Sequence, residues 1–110
     1  MSKAWDDYEK NVLRTARIDL PNDEQIKNAL MGLCGEIGEV TDIFKKHFFH
    51  GHELDKAKAV DEIGDVLFYL TWLCHAIGVD RDEVLLHNVY KLKKRYPDGF
   101  DSERSINRAE

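Results

Sequence analysis

A chain of 110 residues, 43% hydrophobic and 34% charged, supports one packed core and is expected to form a single domain over 1–110. The net charge of −5 argues against sequence-independent binding to a nucleic-acid polymer, which needs a basic surface. No apolar run reaches membrane-spanning length and the start, Met1 to Asp7, lacks an apolar leader core, so a cytoplasmic protein with no membrane partner is expected.

The first helix is expected from about Ser2 to Arg17, with Trp5, Tyr8, Val12 and Ala16 at helical spacing. Pro21-Asn22-Asp23-Glu24-Gln25 opens the second, with Asn22 as N-cap and Gln25 closing a capping box. That helix carries Ile26, Leu30, Leu33, Ile37, Val40 and Phe44 on one stripe and runs to about Phe48, before a break at His50-Gly51-His52-Glu53. The third spans roughly Asp55 to Ala76, with Val60, Ile63, Leu67, Leu70 and Cys74 on its apolar side and Gly78 as its stop. Asp80-Arg81-Asp82-Glu83 repeats the capping pattern and opens a fourth helix to about Arg95, which Tyr96-Pro97-Asp98-Gly99 ends by turn chemistry. From about residue 101 the chain reads as a polar tail ordered only by contacts.

No segment alternates with period two, so the fold class is all-α, like a four-helix bundle. The middle helices carry more apolar and aromatic surface (Phe44, Phe48, Phe49, Phe68, Tyr69, Trp72) than one small bundle covers, which predicts at least a homodimer. Cys34 and Cys74 both lie in apolar helical patterns and read as reduced, inert core thiols.

Two acid pairs share one spacing: Glu36-x-x-Glu39 and, after 22 intervening residues, Glu62-x-x-Asp65. Residues three apart project from one side of a helix, and all four acids fall at the edges of apolar stripes rather than on the solvated face. A single such acid is better read as a rim charge paired with a lysine. Two matched pairs on neighbouring helices predict a convergent carboxylate site, which a hard divalent cation neutralises. Gly38 and Gly64 sit inside the pairs, and each costs a helix about 1 kcal/mol relative to alanine, so close backbone approach or open space is expected there. All-oxygen donors favour Mg²⁺, with Mn²⁺ as the substitute. Zinc lacks a Cys/His ligand set, and a di-iron site lacks its Glu-x-x-His pairs.

Cations complement the acids. Asn88, Lys91 and Arg95 lie at i, i+3 and i+7 on the fourth helix, a face suited to phosphate oxygens, although a basic last turn also answers the helix dipole. Lys45, Lys46, His47, His50 and His52 cluster at the end of the second helix, with Lys46 and His50 the better placed for phosphate. No glycine-rich phosphate loop and no nucleophile–histidine arrangement is present.

The two acid motifs, the Lys45–His52 segment and the Asn88–Phe100 segment together resemble the MazG-type all-α nucleoside triphosphate pyrophosphohydrolases, over about Asn22 to Phe100. The resemblance implies Mg²⁺-dependent hydrolysis of a ribo- or deoxyribonucleoside triphosphate to the monophosphate and pyrophosphate, in a homodimer or homotetramer. It gives Glu36, Glu39, Glu62 and Asp65 the role of metal ligands. One departure is Gly35, where the family often has a further Glu before the first motif acid. Within that reading Glu39 is the candidate acceptor of the water proton, while Asn88, Lys91 and Arg95 meet the leaving phosphates. Trp5, Tyr8 or Trp72 would stack on the base, Trp5 being the residue singled out, although such aromatics more often belong to the plain core. The alternative is a helical dimer that binds metal or nucleotide without turnover.

Overall fold

A computed structural model describes residues 3–108. It contains five helices: α1 (Lys3–Thr15), α2 (Asn22–Phe49), α3 (Lys56–Ala76), α4 (Arg81–Arg95) and α5 (Ser102–Ile106). No strand is present among the described residues, so the all-α class holds. The chain separates into two compact units, residues 1–78 and 79–110.

In the first unit α2 and α3 form a long antiparallel hairpin against which α1 packs. The turn depends on Gly51, whose φ of +74° lies in the left-handed region open to glycine. Asp55 then caps α3, its carboxylate accepting from the Lys58 N–H at 3.0 Å. Gly78, also at φ +74°, ends α3 as the sequence predicts.

The core is small and built around one indole. Val12 of α1, Ala29 of α2 and Trp72 of α3 are buried together, with Tyr8, Ala16, Phe68, Tyr69 and Leu73 packed on them. Ala29 and Gly32 lie one turn apart on α2, and small residues there let the aromatic face of α3 come close. A Cβ at Gly32 would overlap the Tyr69 ring, so this is the glycine that close approach requires. Gly38 and Gly64 instead have nothing within 4 Å of where a Cβ would stand, which resolves the expectation at both positions in favour of open space.

Three details differ from the sequence reading. α1 ends at Thr15, where the chain turns into the Arg17–Asp19 fork with both N···O distances 2.9 Å, and Ser2 lies outside the described residues. The capping box at Asn22 does not form: Pro21 occupies the cap position without a side-chain bond, and Gln25 is buried instead. Its amide donates to the Ile18 and Leu20 carbonyls at 3.1 and 2.8 Å, and its oxygen accepts from the Trp72 indole N–H at 2.9 Å. The expected apolar side of α3 is also largely open: Val60, Ile63 and Leu70 are exposed, and Ala59, Thr71, Trp72 and Ala76 are the buried positions. Apolar residues wrap most of the way round this helix, so periodicity alone does not select the covered side.

In the second unit Asp80 caps α4, accepting from the Asp82 N–H at 2.9 Å. Gly99, at φ +100°, turns the chain after Tyr96-Pro97-Asp98. The polar tail is not irregular: Asp101 accepts from the Glu103 N–H at 2.9 Å and starts the single-turn helix α5. On α4 the apolar residues Leu85, Val89 and Leu92 are exposed.

Candidate metal and phosphate site

Glu36 on α2 and Glu62 and Asp65 on α3 each offer a carboxylate oxygen, and the three oxygens lie within 4.8 Å of one another. The hairpin produces this meeting. Glu36 is four residues beyond Gly32, where Tyr69 fixes the close approach, and Asp65 is one turn before Tyr69. Gly35, Gly38 and Gly64, beside the acids on the same two helices, have nothing within 4 Å of where a Cβ would stand.

Glu36 carries the electrostatic signature of the site. Burial is the first cause lifting its carboxyl above the ordinary carboxylate range. The Glu62 carboxylate, to which a protonated Glu36 can donate, is the second, and the charges of Asp65, Glu62 and Glu39 follow. Its Oε2 is buried and has no hydrogen-bond partner. Among the described residues no lysine, arginine or histidine forms an ion pair with Glu36, Glu39, Glu62 or Asp65, so the reading of lysine-paired rim charges finds no support. An orphaned buried oxygen in a converging all-oxygen donor set fits a hard divalent cation.

Glu39 stands apart from that trio. It is exposed and lines a neighbouring cleft of about 400 Å³ with Asp42, Ile43, Lys46, His52, Glu53, Asp55 and Lys58. There the Lys46 ammonium meets the Asp42 carboxylate at 2.9 Å, an i,i+4 pair that raises the lysine's pKa and lowers the acid's. His50 is exposed and outside the cleft lining; its backbone N–H closes the last turn of α2 on the Lys46 carbonyl at 3.0 Å. His52 lines the cleft in its place. The His47 ring bonds the His52 carbonyl at 2.9 Å and so ties the turn to the helix end.

The aromatic candidates separate. Trp72 is core, its indole N–H held by Gln25, and cannot stack on a base. Trp5 is half-buried on α1 and meets Tyr8 edge-on, with ring centroids 6.0 Å apart. The Tyr8 hydroxyl donates weakly to the Gly64 carbonyl at 3.4 Å, and its pKa is raised by burial and then by Asp65. Tyr8 therefore borders the acid trio, a place that only the packing of α1 on α3 reveals. His52 belongs to the cationic cluster expected there but was ranked behind His50, whereas Asp42 and Lys58 were missed in the sequence; the Asp42–Lys46 spacing was the available signal. Asn88, Lys91 and Arg95 lie on α4 in the second unit, Asn88 exposed and the other two half-buried. Cys34 is exposed and not the core thiol expected, whereas Cys74 is half-buried and its thiol pKa is raised, chiefly by burial.

No single helix among the described residues is long and apolar enough to cross a membrane. Comparison with curated proteins and with solved structures gives no match. The family model described as the MazG nucleotide pyrophosphohydrolase domain matches residues 24–100, a span that contains both acid pairs, the Lys46 cleft and all of α4. A match over most of the chain, on an all-α fold whose acids converge between two helices, places this protein in the MazG nucleotide pyrophosphohydrolase family.

Proposed function

We propose that the protein hydrolyses a ribo- or deoxyribonucleoside triphosphate to the monophosphate and pyrophosphate with the help of Mg²⁺, for which Mn²⁺ substitutes. The observation that carries the reading is the Glu36–Glu62–Asp65 trio with the orphaned Glu36 oxygen. These three residues would hold the ion, which when bound supplies charge neutralisation on the phosphates and an acidified water. Glu39, exposed beside the trio, keeps a free carboxylate and accepts the proton of the attacking water. Lys46, positioned by Asp42 in the adjoining cleft, binds phosphate oxygens, with His50 as a further contact from the turn. Asn88, Lys91 and Arg95 bind the pyrophosphate as it leaves, and Trp5 stacks on the base.

The family match runs across the junction of the two units, which supports one catalytic domain over 1–110. Leu30, Ile37, Val60, Ile63 and Leu70 stay exposed on the hairpin and support burial against further copies of the chain, in a homodimer or homotetramer. A triphosphate substrate is made and used in the cytoplasm, where the protein is proposed to act.

The test is pyrophosphate release from the eight common nucleoside triphosphates, with Mg²⁺ and in metal-stripped buffer. Release from at least one of them only with Mg²⁺, abolished by Glu39→Gln without loss of helicity, is expected. No release from any would favour the non-catalytic metal- or nucleotide-binding dimer.

A further inference from the structure

The second unit holds a cleft of about 690 Å³, larger than the one beside Glu39, lined by Lys94, Arg95, Asp101, Glu103, Arg104, Asn107 and Arg108. Five of the seven lining residues lie beyond residue 100, where the family match ends. Four cations face two carboxylates in a chain whose net charge is −5, so the local balance is opposite to that of the whole.

Two of the polar lining groups are engaged locally. The Asp101 carboxylate caps α5 through the Glu103 N–H at 2.9 Å. The Asn107 amide donates back to the Glu103 carbonyl at 3.1 Å. Lys94, Arg104 and Arg108 form no ion pair among the described residues. The dipole of α4 accounts for Lys94 and Arg95 in its last turn, but not for the return of the chain that adds Arg104 and Arg108. Arg104 lies on α5 and Arg108 just beyond its end, and bringing their like charges to one cleft is repulsive. A multivalent anion would reverse that sign.

We propose that this cleft binds a condensed phosphate, through the forked guanidinium groups of Arg104 and Arg108 with Lys94 and Arg95 completing the charge. Guanidinium forks match paired phosphate oxygens, which a lysine-only patch does not. The ligand is either free pyrophosphate or the phosphate chain of a nucleotide, which share this chemistry. The site does not rest on the acid trio or on turnover.

The experiment is calorimetric titration of the full chain with pyrophosphate, inorganic triphosphate and ATP in metal-stripped buffer. One pyrophosphate per chain is expected, and Arg104→Ala/Arg108→Ala should weaken it roughly tenfold or more. Arg104→Lys/Arg108→Lys keeps the charge but loses the forks, and should fall between the two; circular dichroism checks that α-helical content is retained in each. Glu62→Gln, which strikes the acid trio, should leave this binding unchanged, so the cleft and the proposed hydrolysis fail separately. Tighter ATP than pyrophosphate assigns the cleft to the nucleotide chain, and the reverse to free pyrophosphate. No binding, binding unaffected by the double alanine variant, or tighter binding of a mixed-sequence single-stranded oligonucleotide would overturn the proposal.

Discussion

Replacing Glu62 with glutamine should stabilise the metal-free protein and destabilise the metal-loaded one. The Glu62 oxygen lies within 4.8 Å of oxygens on Glu36 and Asp65. At that spacing, two unit charges repel by about 1 kcal/mol at the dielectric of water and by about 3 kcal/mol at an effective value near 20. All three groups are at least partly open to solvent, so the lower figure is the better guide. Glutamine removes both repulsions and supplies an amide that can donate to the buried Glu36 Oε2, now without a partner. A gain of about 1 kcal/mol corresponds to about 4 °C in Tm for a domain of this size. Saturating Mg²⁺ works the other way: at a hundredfold excess over Kd it stabilises the wild type by roughly 2.7 kcal/mol, and the variant loses that. The two melting curves should therefore exchange order between metal-stripped buffer and Mg²⁺. The pH dependence has a definite sign. Because the folded state raises the Glu36 carboxyl above 4.5, metal-free wild type loses stability as pH rises from there through the folded value. Glu62→Gln should flatten that slope. A variant less stable than wild type in both buffers, or one that still responds to Mg²⁺, would refute the reasoning.

The glycines provide a paired test. Gly32→Ala should cost about 1–3 kcal/mol, because its methyl collides with the Tyr69 ring, whereas Gly64→Ala, facing open space, should stabilise by up to about 1 kcal/mol; urea melts that rank them the other way would contradict the hairpin register. Gln25→Leu leaves the Trp72 indole N–H and two loop carbonyls unpaired, and should cost roughly 2 kcal/mol in the same assay; an unchanged midpoint would show that the buried amide is not holding α1 to the hairpin. Ile63→Glu places a charge among the exposed apolar residues of α3 and should shift sedimentation toward monomer while helicity persists; an unaltered profile would argue that this side is not the subunit contact.

Much of the fold was legible because its punctuation is local. Gly51, Gly78 and the Tyr96–Gly99 turn fix helix ends through backbone conformations that sequence alone identifies. Gln25 misled because a capping pattern is also local, and a tertiary partner, Trp72, outcompeted it. The importance of Gly32 could not be read, since it depends on which aromatic of α3 faces it across the hairpin. The same holds for the acids. Their spacing put each pair on one helix side, but the azimuth between two packed helices decides that Glu36, Glu62 and Asp65 meet while Glu39 faces the Lys46 cleft. Tyr8 beside Asp65, and His52 in the cleft in place of His50, likewise follow from packing and the course of a turn.

The most direct test is crystallographic. Crystals of the full chain soaked in Mn²⁺ and measured for anomalous scattering should show a peak at bonding distance from the Glu36, Glu62 and Asp65 carboxylates, absent from Glu62→Gln crystals. A map with no peak between those three side chains at saturating Mn²⁺, or one whose only peak lies elsewhere, would contradict the account.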